Sequence, residues 1–146
     1  MTSLQIADNL FSRYARVSRA DASGSVVCIC CGKSDHWGTF DNAHFVGRAC
    51  MALRFSLDNC WPCHRACHDA PDHLTRYEAT LIKARGEAFV EDLKARGKKY
   101  QKAPSEAEIN ELIEQLKQTL SEYGNQQSHG ATDIPQGSPA VQGGEA

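Results

Sequence analysis

The sequence has no long apolar run. No segment of its 146 residues approaches the roughly 18 apolar residues of a membrane span. Residues 1–20 include Asp8, Arg13, Arg16 and Arg19, so they lack the apolar core that a signal peptide needs. Only 11 residues are glycine and 5 are proline, too few for a fibrous or wholly disordered chain. These absences predict a cytoplasmic protein with one compact domain and appendages.

The net charge is small and unevenly distributed. The chain has 16 Lys and Arg against 18 Asp and Glu, a formal charge of −2. Residues 1–102 hold 15 basic and 11 acidic side chains, a net charge of +4, and residues 103–146 hold 1 basic and 7 acidic, a net charge of −6. The net charge alone predicts no polyanionic partner, but the basic part would suit a DNA backbone if its side chains share one face.

Cysteine and histidine are abundant in one part of the chain. All seven cysteines lie between Cys28 and Cys67, and five of the six histidines lie between His36 and His73. An odd number of clustered thiols without a secretory signal argues against a disulfide framework and favours metal binding. We expect His36 and His73 themselves to be ordinary surface histidines.

Two short clusters have the spacing of zinc knuckles. Cys28 and Cys31 form a C-x2-C pair followed by Gly32, which can take the left-handed backbone conformation that closes such a turn. The second cluster, CWPCHRACH over residues 60–68, can complete a tetrahedral site. Its spacing leaves the ligand pair open between Cys60 with Cys63, His64 with Cys67, and Cys63 with Cys67. We expect Cys30 to be a non-ligand.

Helical periodicity predicts helices on both sides of these clusters. Apolar side chains recur at helical spacing over residues 4–20, 75–96 and 106–122, whereas residues 26–58 consist of short β-prone pieces. Ser3 could cap the first helix, a capping box of Ser105 and Glu108 opens the last, and Gly124 is expected to end it. The predicted organisation is a helix within 1–24, a zinc-binding domain over 25–102, an acidic helix over 103–124 and a disordered tail over 125–146. The apolar stripe of the acidic helix could complete the core or form the seam of a homodimer.

The order of the motifs resembles that of the HNH, or ββα-metal, nucleases. In those enzymes a C-x2-C-G knuckle, a histidine at a strand end, an asparagine and a C-x2-C-[HN] knuckle follow one another. The sequence is still more similar to the phage NinG/Rap recombination family over residues 25–100. The matching elements are Cys28 to Gly32, HFVGR over residues 44–48, LRF over residues 53–55, Asp58-Asn59 and Cys67-His68. This resemblance implies an α+β fold, a small zinc-stapled ββα-metal core flanked by helices, with a C-terminal helix and a tail.

The resemblance also implies a structural zinc ion bound by Cys28, Cys31, Cys67 and one further residue. In the register of the family, His64 occupies the position of the first cysteine of the second knuckle, and Cys63 lies one residue earlier. Register favours His64, and the affinity of zinc for soft thiolates favours Cys63. Both residues stay open as the remaining ligand.

A catalytic centre between the knuckles is implied as well. His44 would act as general base on the attacking water, and Asn59 would hydrogen-bond across the loop to orient the His44 strand. Asp41 and His68 would hold a Mg²⁺ or Mn²⁺ ion that stabilises the charge on the scissile phosphate and the leaving oxygen. Ala43 precedes His44 where many HNH enzymes have an acid, so Asp41 is the nearest carboxylate.

The function that the resemblance implies is phosphodiester hydrolysis in phage recombination, on branched or single-strand/duplex junction DNA. If the chain is phage-encoded, it would act in the cytoplasm of the bacterial host. Arg48 and Arg54 could bind phosphate bidentately, or they could be solvated or salt-bridging arginines. An alternative is a catalytically silent zinc module that binds DNA or a recombination protein. A third, weaker alternative is a partner-docking adaptor built on the acidic helix and tail.

Overall fold

Two pairs of short antiparallel strands form the β-structure of this protein, described here from a computed structural model that covers residues 1–128. The first pair is β1 (Ser25–Val27) with β2 (Ser34–His36), and the second is β3 (Asp41–His44) with β4 (Cys60–Cys63). In the second pair the first and last residues of β3 lie opposite the last and first residues of β4. Asp41 and His44, the candidate residues at the two ends of β3, are therefore held by the same set of strand–strand hydrogen bonds.

Within residues 1–128, six helices flank these strands. They are α1 (Ser3–Val17), α2 (Met51–Arg54), α3 (Arg65–His68), α4 (His73–Arg85), α5 (Glu87–Gly97) and α6 (Glu106–Ser128), with 3₁₀ turns at Trp37–Thr39 and Leu57–Asn59. The mixed α+β class and the small antiparallel sheets agree with the sequence-based expectation. Among the helices of residues 1–128, none is both long and apolar enough for a membrane crossing.

The main core lies between the strands and the pair α4 and α5. Its buried side chains come from both strand pairs and both helices, and they include Val26, Phe40, Ala43, Leu53, Trp61, Tyr77, Leu81, Val90 and Leu93. The Tyr77 hydroxyl is fully buried and donates a 2.7 Å hydrogen bond to the Ala43 carbonyl of β3. Because a buried hydroxyl needs a partner, this bond ties the position of α4 to the strand that carries His44.

The N-cap of the first helix lies one residue earlier than predicted. Thr2, not Ser3, is the N-cap: its hydroxyl accepts a hydrogen bond from the Gln5 amide, and the Gln5 side chain accepts one from the Thr2 amide. The helix ends at Val17 instead of continuing to residue 20. By residue type either Thr2 or Ser3 could cap the helix, and the capping-box hydrogen bonds identify Thr2 as the cap.

The single helix predicted over residues 75–96 is wrong, since the structure has two helices there. Gly86 separates them with a φ of 94°, a left-handed conformation that favours glycine. Its amide still donates to the Ile82 carbonyl at 2.8 Å, which completes the last turn of α4. The break lets α5 turn back, so that Leu81 and Val90 are buried in the same core.

The last helix packs along the first. Ser105 and Glu108 form the predicted capping box, with bonds of 2.7 and 3.1 Å between each amide and the other side chain. The helix continues past Gly124 to Ser128, so the predicted end is wrong, and the rest of the predicted tail, residues 129–146, lies outside the described residues. Its apolar stripe, Ile109, Ile113 and Leu116, is buried against Ala7, Phe11 and Ala15 of α1. Of the two roles that the sequence left open for this stripe, the fold shows core completion.

We predict that Ile113→Ala lowers the free energy of unfolding by about 2 to 5 kcal/mol, because it leaves a cavity between α6 and α1. Urea denaturation measures the change. Glu111→Ala, on the exposed side of the same helix, is the matched control and should stay within about 0.5 kcal/mol of the parent. Equal stability of the two variants would contradict the packing of α6 on α1.

Candidate metal centre and neighbouring cleft

Four of the predicted zinc ligands lie together. The ligand atoms of Cys28, Cys31, His64 and Cys67 are all within 4.8 Å of one another, and Cys31 Sγ lies 3.4 Å from His64 Nδ1. Three thiols and one imidazole are a donor set typical of a structural zinc site. Of the two residues that the sequence left open, the structure places His64 in this group, whereas Cys63 ends β4 with its side chain in the core.

The first knuckle is shaped to present a thiolate. Gly32 has a φ of 76° and donates its amide to the Cys28 carbonyl at 3.0 Å, which closes the turn. The backbone amides of Cys30 and His64 each lie 3.4 Å from Cys28 Sγ. Burial opposes ionisation of this thiol, but the surrounding N–H groups prevail and lower the pKa of Cys28 to about 6. A thiol that ionises near neutral pH fits a zinc ligand.

An open cavity of about 540 Å³ lies beside the knuckles. Asp41 and His44 of β3 line it together with His68 of α3, so three of the predicted catalytic residues share one cleft. Helix α1 supplies the opposite wall. Three arginines also line the cleft: Arg16, Arg48 and Arg65. The cleft therefore combines titratable groups with cationic side chains that can attract an anion.

The hydrogen bond of His44 determines which of its ring nitrogens can act as a base. Its Nε2 lies 2.9 Å from the carbonyl oxygen of Arg54. Because a carbonyl can only accept, the neutral ring carries its proton on Nε2 and leaves the lone pair on Nδ1. Burial lowers the pKa of His44, and the Arg54 carbonyl offsets this only in part. The imidazole is thus neutral, and able to accept a proton, at neutral pH.

Asn59 joins the loop after β3 to the start of β4. Its side chain has no exposed surface, its Oδ1 accepts from the Val46 amide at 2.8 Å, and its Nδ2 donates to the carbonyls of Val46 at 2.8 Å and Leu53 at 3.2 Å. Asn59 is therefore fully buried, and its hydrogen bonds hold the loop that follows His44.

Asp41 and His68 form a pair across the cleft floor. Asp41 Oδ2 lies 2.9 Å from His68 Nδ1 and 3.2 Å from Arg65 Nε. A carboxylate bonded to one ring nitrogen fixes the ring and directs the other nitrogen outward, as is common for metal-binding histidines. Arg65, whose side chain is 73% exposed, was expected only as one of the basic side chains that could suit a DNA backbone, not as part of this cleft. Its place directly after His64, between the two ligands of the second knuckle, was the signal that could have identified it.

The two candidate phosphate ligands differ in accessibility. Arg54 makes a bidentate ion pair with Asp8 of α1, at 2.9 and 2.5 Å, and its side chain is only 15% exposed. It is the salt-bridging arginine that the sequence left as an alternative, and it joins α2 to α1. Arg48 lies 3.4 Å from the same carboxylate, but its side chain is 59% exposed at the edge of the cleft. Arg48 therefore stays available to an anionic ligand, and Arg54 does not.

Comparison with known families identifies the chain. The family model described as the bacteriophage lambda NinG protein matches residues 3–126. The chain belongs to the NinG family. The match extends the similarity beyond residues 25–100 to α1 and to most of α6. Neither the curated proteins nor the solved structures contain a match to this chain.

A second group of metal-ligand side chains lies beside the zinc knuckles of this NinG-family chain. The ligand atoms of Cys30, Cys63 and His73 are within 4.8 Å of one another. Cys30, expected to be a non-ligand, and His73, expected to be an ordinary surface histidine, are both half-buried, and Cys30 Sγ lies 3.6 Å from His73 Nδ1. Sequence spacing could not reveal this, since His73 belongs to a helix outside both knuckles.

We predict that Cys31→Ser releases zinc and unfolds residues 25–70, because the binding energy of a structural zinc ion is part of the folding energy. Zinc content and hydrogen exchange measure the two effects. Cys50→Ser is the matched control: Cys50 is half-buried and lies outside both donor groups, so zinc binding should persist. A zinc-free Cys31→Ser protein with native exchange protection would contradict the prediction.

Proposed function

We propose that this NinG-family chain is a metal-dependent DNA endonuclease of the HNH, or ββα-metal, type. The observation that carries the proposal is that His44 and the Asp41–His68 pair line one open cleft together with exposed arginines. By resemblance to the family, the substrate would be branched or junction DNA in phage recombination. The cleft chemistry described above supports phosphodiester hydrolysis as the reaction.

The proposed general base is Nδ1 of His44. It would accept a proton from the attacking water, while the bond from Nε2 to the Arg54 carbonyl holds the ring in place. Asn59 keeps the loop after β3 closed on β4, and so keeps this ring near the cleft. A general base of this kind contributes typically about 10² to 10⁴-fold to a reaction rate.

The proposed site for a divalent ion is His68, oriented by Asp41. With Nδ1 bonded to the carboxylate, His68 keeps Nε2 for an ion, and both residues line the cleft. The carboxylate oxygens of Asp41 suit Mn²⁺ or Mg²⁺ better than they suit the soft ions that prefer thiolates, and imidazole is a donor of intermediate softness. Such an ion would stabilise negative charge on the phosphate and on the leaving oxygen. Arg48 and Arg65, both exposed, would bind the flanking phosphates.

A non-catalytic zinc module that binds DNA or a recombination protein is the second candidate. The position before His44 is occupied by Ala43, which is fully buried and offers no donor. Within residues 1–128, the groups of three or more metal ligands are all composed of cysteine and histidine and do not include Asp41. These observations favour a protein that binds structural zinc and no catalytic ion.

We predict that His44→Ala lowers the rate of DNA cleavage at least about 100-fold while leaving DNA binding intact, because it removes the base but none of the exposed arginines. The assay uses the full chain with Mg²⁺ or Mn²⁺ and three oligonucleotides of shared sequence: a four-way junction, a single-strand/duplex fork and a linear duplex. His36→Ala is the matched control, since His36 is exposed and does not line the cleft.

Two results would favour the binding module instead. One is binding without cleavage by the parent protein with either ion. The other is equal cleavage by the parent and His44→Ala. Preference among the three oligonucleotides tests the substrate separately, because loss of junction preference would leave the nuclease assignment intact.

We predict that kcat/KM rises with pH and levels off, with its midpoint below 6.5, the ordinary value for histidine. A base must be neutral to act, and burial lowers the pKa of His44, so the active form persists into mildly acidic solution. Initial rates at subsaturating DNA, together with binding measured at each pH, determine the profile. A midpoint above 6.5 would exclude His44, in this environment, as the titrating base.

A further inference from the structure

We propose that Cys30, Cys63 and His73 bind a second zinc ion, next to the group formed by Cys28, Cys31, His64 and Cys67. The three donors come from three different elements: the knuckle turn after β1, the end of β4 and the first residue of α4. The proposal does not depend on nuclease activity. It adds a site to those that the NinG resemblance implies.

Two of the three distances between the donors are close to those of a tetrahedral zinc site, and all three lie below 4.8 Å. Cys30 Sγ lies 3.7 Å from Cys63 Sγ and 3.6 Å from His73 Nδ1. With zinc–sulfur bonds of about 2.3 Å and zinc–nitrogen bonds of about 2.0 Å, tetrahedral angles place two sulfurs about 3.8 Å apart and a sulfur and a nitrogen about 3.5 Å apart. A zinc ion could therefore enter with little movement of the three side chains.

Packing alone does not explain this convergence. Buried cysteines often serve as small apolar side chains, and Cys63 is fully buried in the main core. The Cys30 thiol, however, is half-buried and faces a ring nitrogen of His73 as well as a second sulfur. Two thiolates also balance the charge of a Zn²⁺ ion, so that the filled site buries no net charge from these three ligands. A soft donor set of this kind selects zinc over Mg²⁺ or Mn²⁺.

The second ion would anchor α4 to the knuckles. His73 begins that helix, and its ring lies 4.9 Å from the ring of His68, the proposed ligand of the catalytic ion. A metal bond at His73 would thus hold the start of α4 close to His68. The fourth coordination position is left to solvent, since the described residues supply three donors to this group.

The experiment is a count of zinc ions per chain on the full-length protein, purified under reducing conditions with zinc and then desalted. We expect two zinc ions in the parent protein and one in each of Cys30→Ser and His73→Asn. Both residues are half-buried, so these variants should fold, which hydrogen exchange over residues 25–70 verifies. Cys50→Ser, outside both groups, is the matched control and should keep two.

A Co²⁺ titration distinguishes the two sites spectroscopically. Charge-transfer absorbance from thiolate to cobalt should grow in two steps in the parent protein, and Cys30→Ser should remove one step while the other keeps its amplitude. One zinc ion in the parent protein, or two retained in both variants, would overturn the proposal. A disulfide between Cys30 and Cys63 found by mass spectrometry in the freshly reduced and refolded protein would overturn it too, in favour of a redox pair.

Discussion

The convergence of Cys28, Cys31, His64 and Cys67 is the constraint on which the rest of the structure depends. It joins a turn after β1 to the start of α3. The strands between these points have only three or four residues each, and isolated two-stranded pairs are marginally stable at best. A metal bound at this point, together with the buried side chains of α4 and α5, would supply the stability that the strand pairs lack on their own.

The cleft follows from that constraint. Once the second knuckle is attached to the first, β4 pairs with β3, which brings Asp41 next to His68 and leaves His44 on the same cavity. Short polar contacts then orient each ring: the Asp41 carboxylate for His68 and the Arg54 carbonyl for His44. Arg54 is itself held by Asp8 of α1, so the first helix contributes to the site without supplying a reacting group.

Seven cysteine and histidine side chains of this NinG-family chain form two neighbouring groups of possible metal ligands. The four-donor group has a thiol whose pKa is lowered by backbone amides, and the three-donor group lies in the adjoining core. Asp41 adds carboxylate oxygens, which are harder donors, and it lies beside His68 in the open cleft.

The local features of this protein were predictable from its sequence because they depend on neighbours along the chain. These include the knuckle turn at Gly32, the capping box of Ser105 and Glu108, and the apolar stripe of α6. Gly86 marked a weak middle in the segment 75–96, but helical periodicity continues on both sides of it and so predicted one helix where the structure has two. Family register favoured His64 over Cys63 without excluding either. Tertiary structure placed His64 in the four-donor group, grouped Cys30 with His73 and paired Arg54 with Asp8. Each of these is a contact between elements distant in the chain, and sequence spacing contains no information about such distances.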